Sequence, residues 1–421
     1  MRAPIRAAVT VLLVLLSGLA VPTPATATPA APNLAPTAAS HVKVGYFTQW
    51  GIYRRNFTVK NLHTSGMAAK LTHVNYAFGN VGADGRCFEA NAAGVGDAWA
   101  DYQKRFKAGE SVDGAADVFT QPLAGNFNQF RKLKAMYPHL KVQLSLGGWT
   151  WSKYFSDAAL TPASRQAMVA SCLDLYLRGN MPILDGSPHG GPGSAAGVFD
   201  GIDLDWEWPA SEGAPGNAVR PEDKQNYVLL AAEFRRQLDA LGAETGRRYS
   251  LTAFLPADPA AITAGIDVAP LFAQLDFATV QGYDLHGTWD ARTNHQGQLY
   301  STAADPSPGR YSVDQTVNAY LAGGAPAAKI VLGIPYYGRG WTGVANVNNG
   351  LYQSATGPAR GTYEDGIDDY KKVVAKRGTR FHDPAAGAAW IFDGSAFWSF
   401  DDPQVIAVKT AYVKSRGLGG T

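Results

Sequence analysis

Short apolar, β-branched runs recur along this chain, separated by longer stretches of helical periodicity. No other feature constrains the fold as much. The runs fall at residues 41–47, 73–78, 142–146, 201–206, 249–254, 277–283 and 330–335. Most are continuous rather than alternating, as expected of strands covered on both faces. Between them, residues 127–136, 162–178 and 221–241 carry apolar positions at helical spacing. Strand and helix repeated in this way predict a parallel sheet. Seven such strands over roughly 300 residues fit an α/β TIM (β/α)8 barrel better than a doubly wound sheet.

The stretch after the seventh strand is too long for a simple connection. It holds a helix-like segment, 364–376, and strand-like segments, 388–392 and 396–399. It therefore reads as a small α+β insertion domain, 341–400, set into a barrel formed by 41–340 and 401–421. Asp401-Asp402-Pro403 marks a helix start and Gly417 a stop. Residues 79–125 follow the second strand, so in a barrel they lie on the face of the strand C-termini and form a wall of a groove. Residues 184–198 precede a strand and read as an ordinary loop on the opposite face.

The N-terminus has the pattern of a secretory signal, 1–27: Arg2 and Arg6, an apolar run from 7 to 20, and Ala25-Thr26-Ala27 as a cleavage site. An Ala/Pro/Thr-rich linker, 28–40, follows. The apolar run is shorter than the roughly twenty residues of a membrane span, and no later segment is longer. A secreted, soluble, monomeric protein is expected, with no membrane association. The formal net charge of +2 gives no reason to expect a nucleic-acid partner. Cys87 and Cys172 are the only cysteines. The sequence leaves open whether they form one disulfide or remain two thiols. There is no CxxC and no His/Cys cluster, so no metal site is expected.

Residues 200–209 read Asp-Gly-Ile-Asp-Leu-Asp-Trp-Glu-Trp-Pro. A calcium loop counted from Asp200 would need Gly at its sixth position and Glu at its twelfth, where this chain has Asp205 and Ser211. On a strand, Asp203, Asp205 and Glu207 instead share one face. Like charges that close raise at least one pKa, and a carboxyl kept protonated near neutral pH is what a general acid needs. Glu207 lies just past the fourth strand and reaches the face where barrels do chemistry. Ser145-Leu146-Gly147-Gly148-Trp149 ends the third strand, with glycines that let backbone approach the acidic strand. Gln281 and Tyr283 share a face at the end of the sixth. Arg339, after the seventh, is either a substrate hydrogen-bond donor or half of an ion pair.

These residues resemble the bacterial chitinases of glycoside hydrolase family 18, in the subgroup with an α+β insertion domain. The resemblance rests first on the signature Asp-x-x-Asp-x-Asp-x-Glu, read at Asp200, Asp203, Asp205 and Glu207. Gly45-Tyr46-Phe47, Ser145 with Gly147 and Gly148, Tyr283-Asp284 and Tyr337-Gly338-Arg339-Gly340-Trp341 agree with it. It covers residues 41–421 and implies cleavage of chitin and N-acetylglucosamine oligosaccharides without a cofactor. Glu207 would protonate the glycosidic oxygen, and the substrate's own acetamido oxygen would attack the sugar. Asp205 would hold the acetamido N–H and Tyr283 would bond the same group. Asp203 would share a proton with Asp205. Tyr46, Trp149, Gln281, Asp284, Trp289, Arg339 and Trp341 would bind substrate, Gln281 standing where the family commonly has Met. Trp50 and Trp151 are further sugar platforms. The family's eighth strand, with a Trp that floors the site, should begin where this chain reads Gly419-Gly420-Thr421. The expectation is a missing eighth strand, with strands one and seven left as bare edges. A chitin-binding lectin, and an endo-β-N-acetylglucosaminidase acting on N-glycans, are the rival expectations. Such lectins typically lack the acid that stands here at Glu207.

Overall fold

In the computed structural model, which describes residues 41–421, seven strands lie side by side in chain order and each neighbouring pair is parallel. They are β1 (Val44–Thr48), β2 (His73–Val81), β3 (Lys141–Gly147), β4 (Gly201–Asp205), β5 (Ser250–Leu255), β6 (Phe277–Val280) and β7 (Ile330–Leu332). The signal and linker segments lie outside the described residues. Each strand forms on one of the apolar runs, and all five residues of β4 are buried. Helices Gly125–Met136, Pro162–Cys172 and Asp223–Thr245 make crossovers where the sequence has helical spacing. Trp206 shows how they cover the sheet: its ring packs 5.4 Å from that of Tyr227 on helix Asp223–Thr245. The fold is TIM-barrel-like.

The bare edges expected on β1 and β7 are not found. Gly420 forms parallel bridges to Val42 on one side and to Val331 on the other. Val42 N–H donates to Gly419 O at 2.8 Å, Val44 N–H to Thr421 O at 2.9 Å, and Leu332 N–H to Gly420 O at 2.9 Å. The approach is so close that a Cβ on Gly420 would lie 1.8 Å from Val42 O. Three residues, two of them glycine, carry no apolar pattern, so the sequence hid this pairing.

The insertion is mostly sheet. β8 (Tyr337–Thr342), β9 (Gly357–Pro358), β10 (Ile367–Asp369), β11 (Thr379–Asp383), β12 (Ala388–Phe392) and β13 (Phe397–Phe400) pair antiparallel in the order β9-β8-β13-β12-β11, and β10 also pairs β8. The strands at 388–392 and 396–399 were legible. The helix expected at 364–376 is replaced by β10 and the one-turn helix Tyr370–Val373. Its helical charge spacing loses to tertiary pairing of Ile367 with Arg339 and burial of Val373 beside Ile391 and Trp398. After the sheet, Asp402 caps helix Pro403–Ser415, its Oδ1 accepting from Gln404 N–H and Val405 N–H, both at 3.0 Å.

Cys87 and Cys172 are joined in a disulfide, which ties the excursion after β2 to the end of helix Pro162–Cys172. Residues 184–198 span the length of helix Gly125–Met136: the Ser194, Gly197 and Val198 carbonyls accept from Arg131 and Lys134 in its C-terminal half, while 184–190 reach the excursion after β2. Gly190 N–H donates to Pro122 O at 2.8 Å and Gln103 Nε2 to Leu184 O at 3.3 Å, so the segment braces the outer side of the same excursion. No helix among the described residues is long and apolar enough to cross a membrane.

Candidate active site

β4 sorts its side chains by alternation. Ile202, Leu204 and Trp206 are buried in the core, while Asp203 and Asp205 point inside the sheet's curve. Asp203 lies deepest. Ser145 of β3 donates to its Oδ2 at 2.8 Å, Thr252 of β5 to its Oδ1 at 2.6 Å, and the Tyr46 hydroxyl of β1 to Oδ2 at 3.3 Å. Three strands thus aim hydroxyls at one carboxyl. Burial raises the Asp203 pKa and these bonds pull it back.

Asp205 has no such shell, and its Oδ1 finds no partner. Burial raises its pKa well above the ordinary carboxyl range, followed by the charges of Glu207 and Asp203. Its hydrogen-bonding neighbour is Glu207. Asp203, expected from the sequence to share a proton with Asp205, supplies the next charge after Glu207. Glu207 is pushed up to about 8, first by burial and then by Asp284, against the opposing pull of Asp205 and the Trp149 backbone N–H. At neutral pH such a carboxyl holds its proton and can donate it.

Gly147 makes this proximity possible. It pairs with Asp205 at φ 105°, and a Cβ there would lie 2.4 Å from Asp205 O. The chain then turns into the short helix Gly148–Trp151, which leaves the Trp149 ring 52% exposed.

Above the acids lies a groove of about 1000 Å3. Tyr46, Trp149, Asp205, Glu207, Gln281 and Tyr283 all line it, as do Asp284, Trp289 and Arg339. Tyr283 stacks on Phe254, and burial, then the charges of Asp284, Asp205 and Glu207, raise its pKa well above 10, so its hydroxyl stays a donor. Gln281 Oε1 accepts from Ala257 N–H at 3.2 Å, which fixes the amide at the groove wall. Arg339 grips Asp284 with two bonds of 2.8 Å, and the ring of Trp289, 59% exposed, lies 5.1 Å from its guanidinium. Of the two readings of Arg339, the ion pair is present, and the pair borders the groove.

Trp341 is a correction. It is 1% exposed, its Nε1–H donates to Asp290 O at 3.2 Å, and it packs with Trp390 and Phe397 inside the antiparallel sheet. No face of the ring is left for a sugar. Trp50 is exposed, 6.1 Å from Phe78, but is not among the groove-lining residues, whereas Trp151 donates to Gly94 O and helps hold the excursion after β2. Phe78 and Trp208 line the groove but were missed. Trp208 stands one step past the acidic motif, which was the available signal, whereas Phe78 lies within β2 and carried none. A smaller cavity of about 550 Å3, between residues 99–119 and 187–189, has none of these acids in its wall. Among the described residues no group of three or more His, Cys, Asp or Glu is placed to hold a metal.

A protonated carboxyl above a buried partner, at the C-terminal ends of parallel strands and under an aromatic-lined groove, is the arrangement of a sugar-cleaving hydrolase. Comparison with known proteins makes this specific: the chain belongs to the glycosyl hydrolases family 18, whose family model matches residues 42–421. It is 41% identical to chitinase C of Streptomyces lividans over 389 residues, 91% of this chain and 57% of that protein. It is 37% identical to chitinase A1 of Niallia circulans, over 92% of this chain and 56% of that one. It thus spans little more than half the length of these relatives. Among solved structures, the catalytic domain of the psychrophilic chitinase B from Arthrobacter TAD20 superposes with a TM-score of 0.88 at 50% identity, covering 91% of both chains.

Proposed function

We propose that the protein is a secreted, monomeric chitinase that cleaves β-1,4 bonds between N-acetylglucosamine units with retention of configuration. The observation that carries this is the place of Glu207: two residues past the end of β4, beside Asp205, in the wall of the aromatic-lined groove, where burial raises its pKa. Glu207 gives its proton to the glycosidic oxygen as the bond to the leaving sugar breaks. The acetamido oxygen of the sugar on the non-reducing side closes on C1, forming an oxazolinium ion. Water then adds to C1 and Glu207 takes back a proton. The nucleophile comes with the substrate, so the protein's task is orientation and charge. As Glu207 gives up its proton, Asp205 passes its own toward Glu207, and the carboxylate left on Asp205 accepts the acetamido N–H and balances the positive ring. The Tyr283 hydroxyl steadies the acetamido oxygen. Asp203, under its three hydroxyl donors, anchors Asp205 from below. Trp149 and Trp289 offer exposed ring faces for sugars, and the pairing of Asp284 with Arg339 shapes the wall between them. The finer architecture that accompanies this reading is a (β/α)8 barrel with an insertion domain at 341–400.

The test is hydrolysis of a fluorogenic N,N′-diacetylchitobioside by the protein and by its Glu207→Gln variant. Turnover present in the first and lost by a factor of about a thousand or more in the second supports the reading. Tight oligosaccharide binding with no turnover in either protein supports a lectin. Release from a high-mannose glycopeptide but not from chitin oligomers supports the endoglycosidase.

A further inference from the structure

Ladder pairing of β4 stops before the acid. With β5 the last pair is Leu204↔Ala253, and with β3 it is Gly147↔Asp205. Glu207 lies two residues further on, where neither neighbouring strand holds the backbone. One side chain takes over. Ser152 is 1% exposed, and its Oγ accepts from Glu207 N–H at 2.9 Å. The same hydroxyl is within donating distance of Asp205 O at 3.1 Å and Gly148 O at 2.8 Å. In a parallel ladder, the residue facing position i gives its N–H to the carbonyl of i−1 and takes the N–H of i+1. For i at Trp206, those groups are Asp205 O and Glu207 N–H. A hydroxyl has one proton to give and lone pairs to receive, so Ser152 can fill both roles where β3 has already turned away.

We infer that Ser152 is a positioning residue for the acid: its hydroxyl substitutes for a strand partner and fixes the backbone of Asp205, Trp206 and Glu207. Asn217 holds the far side of the same residue, its Nδ2 donating to Glu207 O at 3.0 Å. The acid is thereby clamped at both backbone groups, N–H from below and C=O from the side. Ser152 touches no substrate. It acts by setting where the Glu207 carboxyl stands relative to the glycosidic oxygen, which is the kind of placement on which a proton transfer depends steeply. The inference rests on Glu207 being the acid.

The experiment compares kcat and KM on the chitobioside for the protein, Ser152→Ala, Glu207→Gln and the double variant, with melting temperature as a check on folding. For Ser152→Ala we expect kcat to fall on the order of tenfold to a hundredfold with KM within about twofold. In the Glu207→Gln background the same substitution should remove little more of the residual turnover, because there is no longer an acid to place. Ser152→Cys, near in volume but a weak donor and acceptor, should show the same kcat-selective loss and serves if the alanine variant does not fold. An unchanged kcat, a loss confined to KM, or full additivity with Glu207→Gln overturns the inference. If instead Glu207→Gln keeps full turnover, it is the assignment of the acid that fails.

Discussion

The Glu207 proton is maintained by burial and by one neighbouring charge. Burial disfavours the charged form, and the Asp284 carboxylate adds repulsion. The acid must be protonated to act, so activity should be present below about pH 8 and lost as pH rises through it, an alkaline limb visible in kcat/KM. Asp284→Asn should move that limb to lower pH. The substitution removes a negative charge and also frees the Arg339 cation from its two bonds, and both changes favour the Glu207 carboxylate. A limb that stays in place would mean that Asp284 is not the charge Glu207 feels. The three acids were legible in the sequence because alternation alone puts them on one face. The hydroxyl donors around Asp203 were not, because Ser145, Thr252 and Tyr46 reach it from three other strands.

Strand β8 shows how a correct alternation can still mislead. Arg339 and Trp341 are two apart and share a face, yet one borders the groove and the other lies beneath Asp290 in the core of the antiparallel sheet. Trp341→Ala should therefore cost stability, about 3–5 kcal/mol for a buried Trp, read as a lowered melting temperature. Trp289→Ala should raise KM several-fold and leave melting nearly unchanged, since its ring is exposed. The reverse pattern would restore Trp341 to the groove. Local pattern was reliable wherever an element's own residues decide its form, as in β4 or in β12, whose predicted and observed limits coincide. It failed at 364–376, where a partner strand far away in sequence decides, and at 419–421, where no side chains advertise the pairing.

At the scale of the whole molecule, the sheet's two edges are tied together by the last three residues of the chain. Gly420→Ala would drive a methyl into Val42 O, so the Val42 and Val331 bridges should be lost together. We expect a melting temperature lower by several degrees, of order a few kcal/mol. An unchanged melting curve would show that the tie contributes little. The tie also has a direction. Residues 42 and 420 run parallel, so β1 is entered from the face opposite the groove, while Thr421 lies against Val42 and Val44. For anyone fixing this protein to a resin or a sensor surface, residues 42 and 421 are not equivalent places for an attachment. An attachment at residue 42 sits where β1 begins, away from the acids, whereas one at Thr421 sits against Val44, two residues before the groove-lining Tyr46.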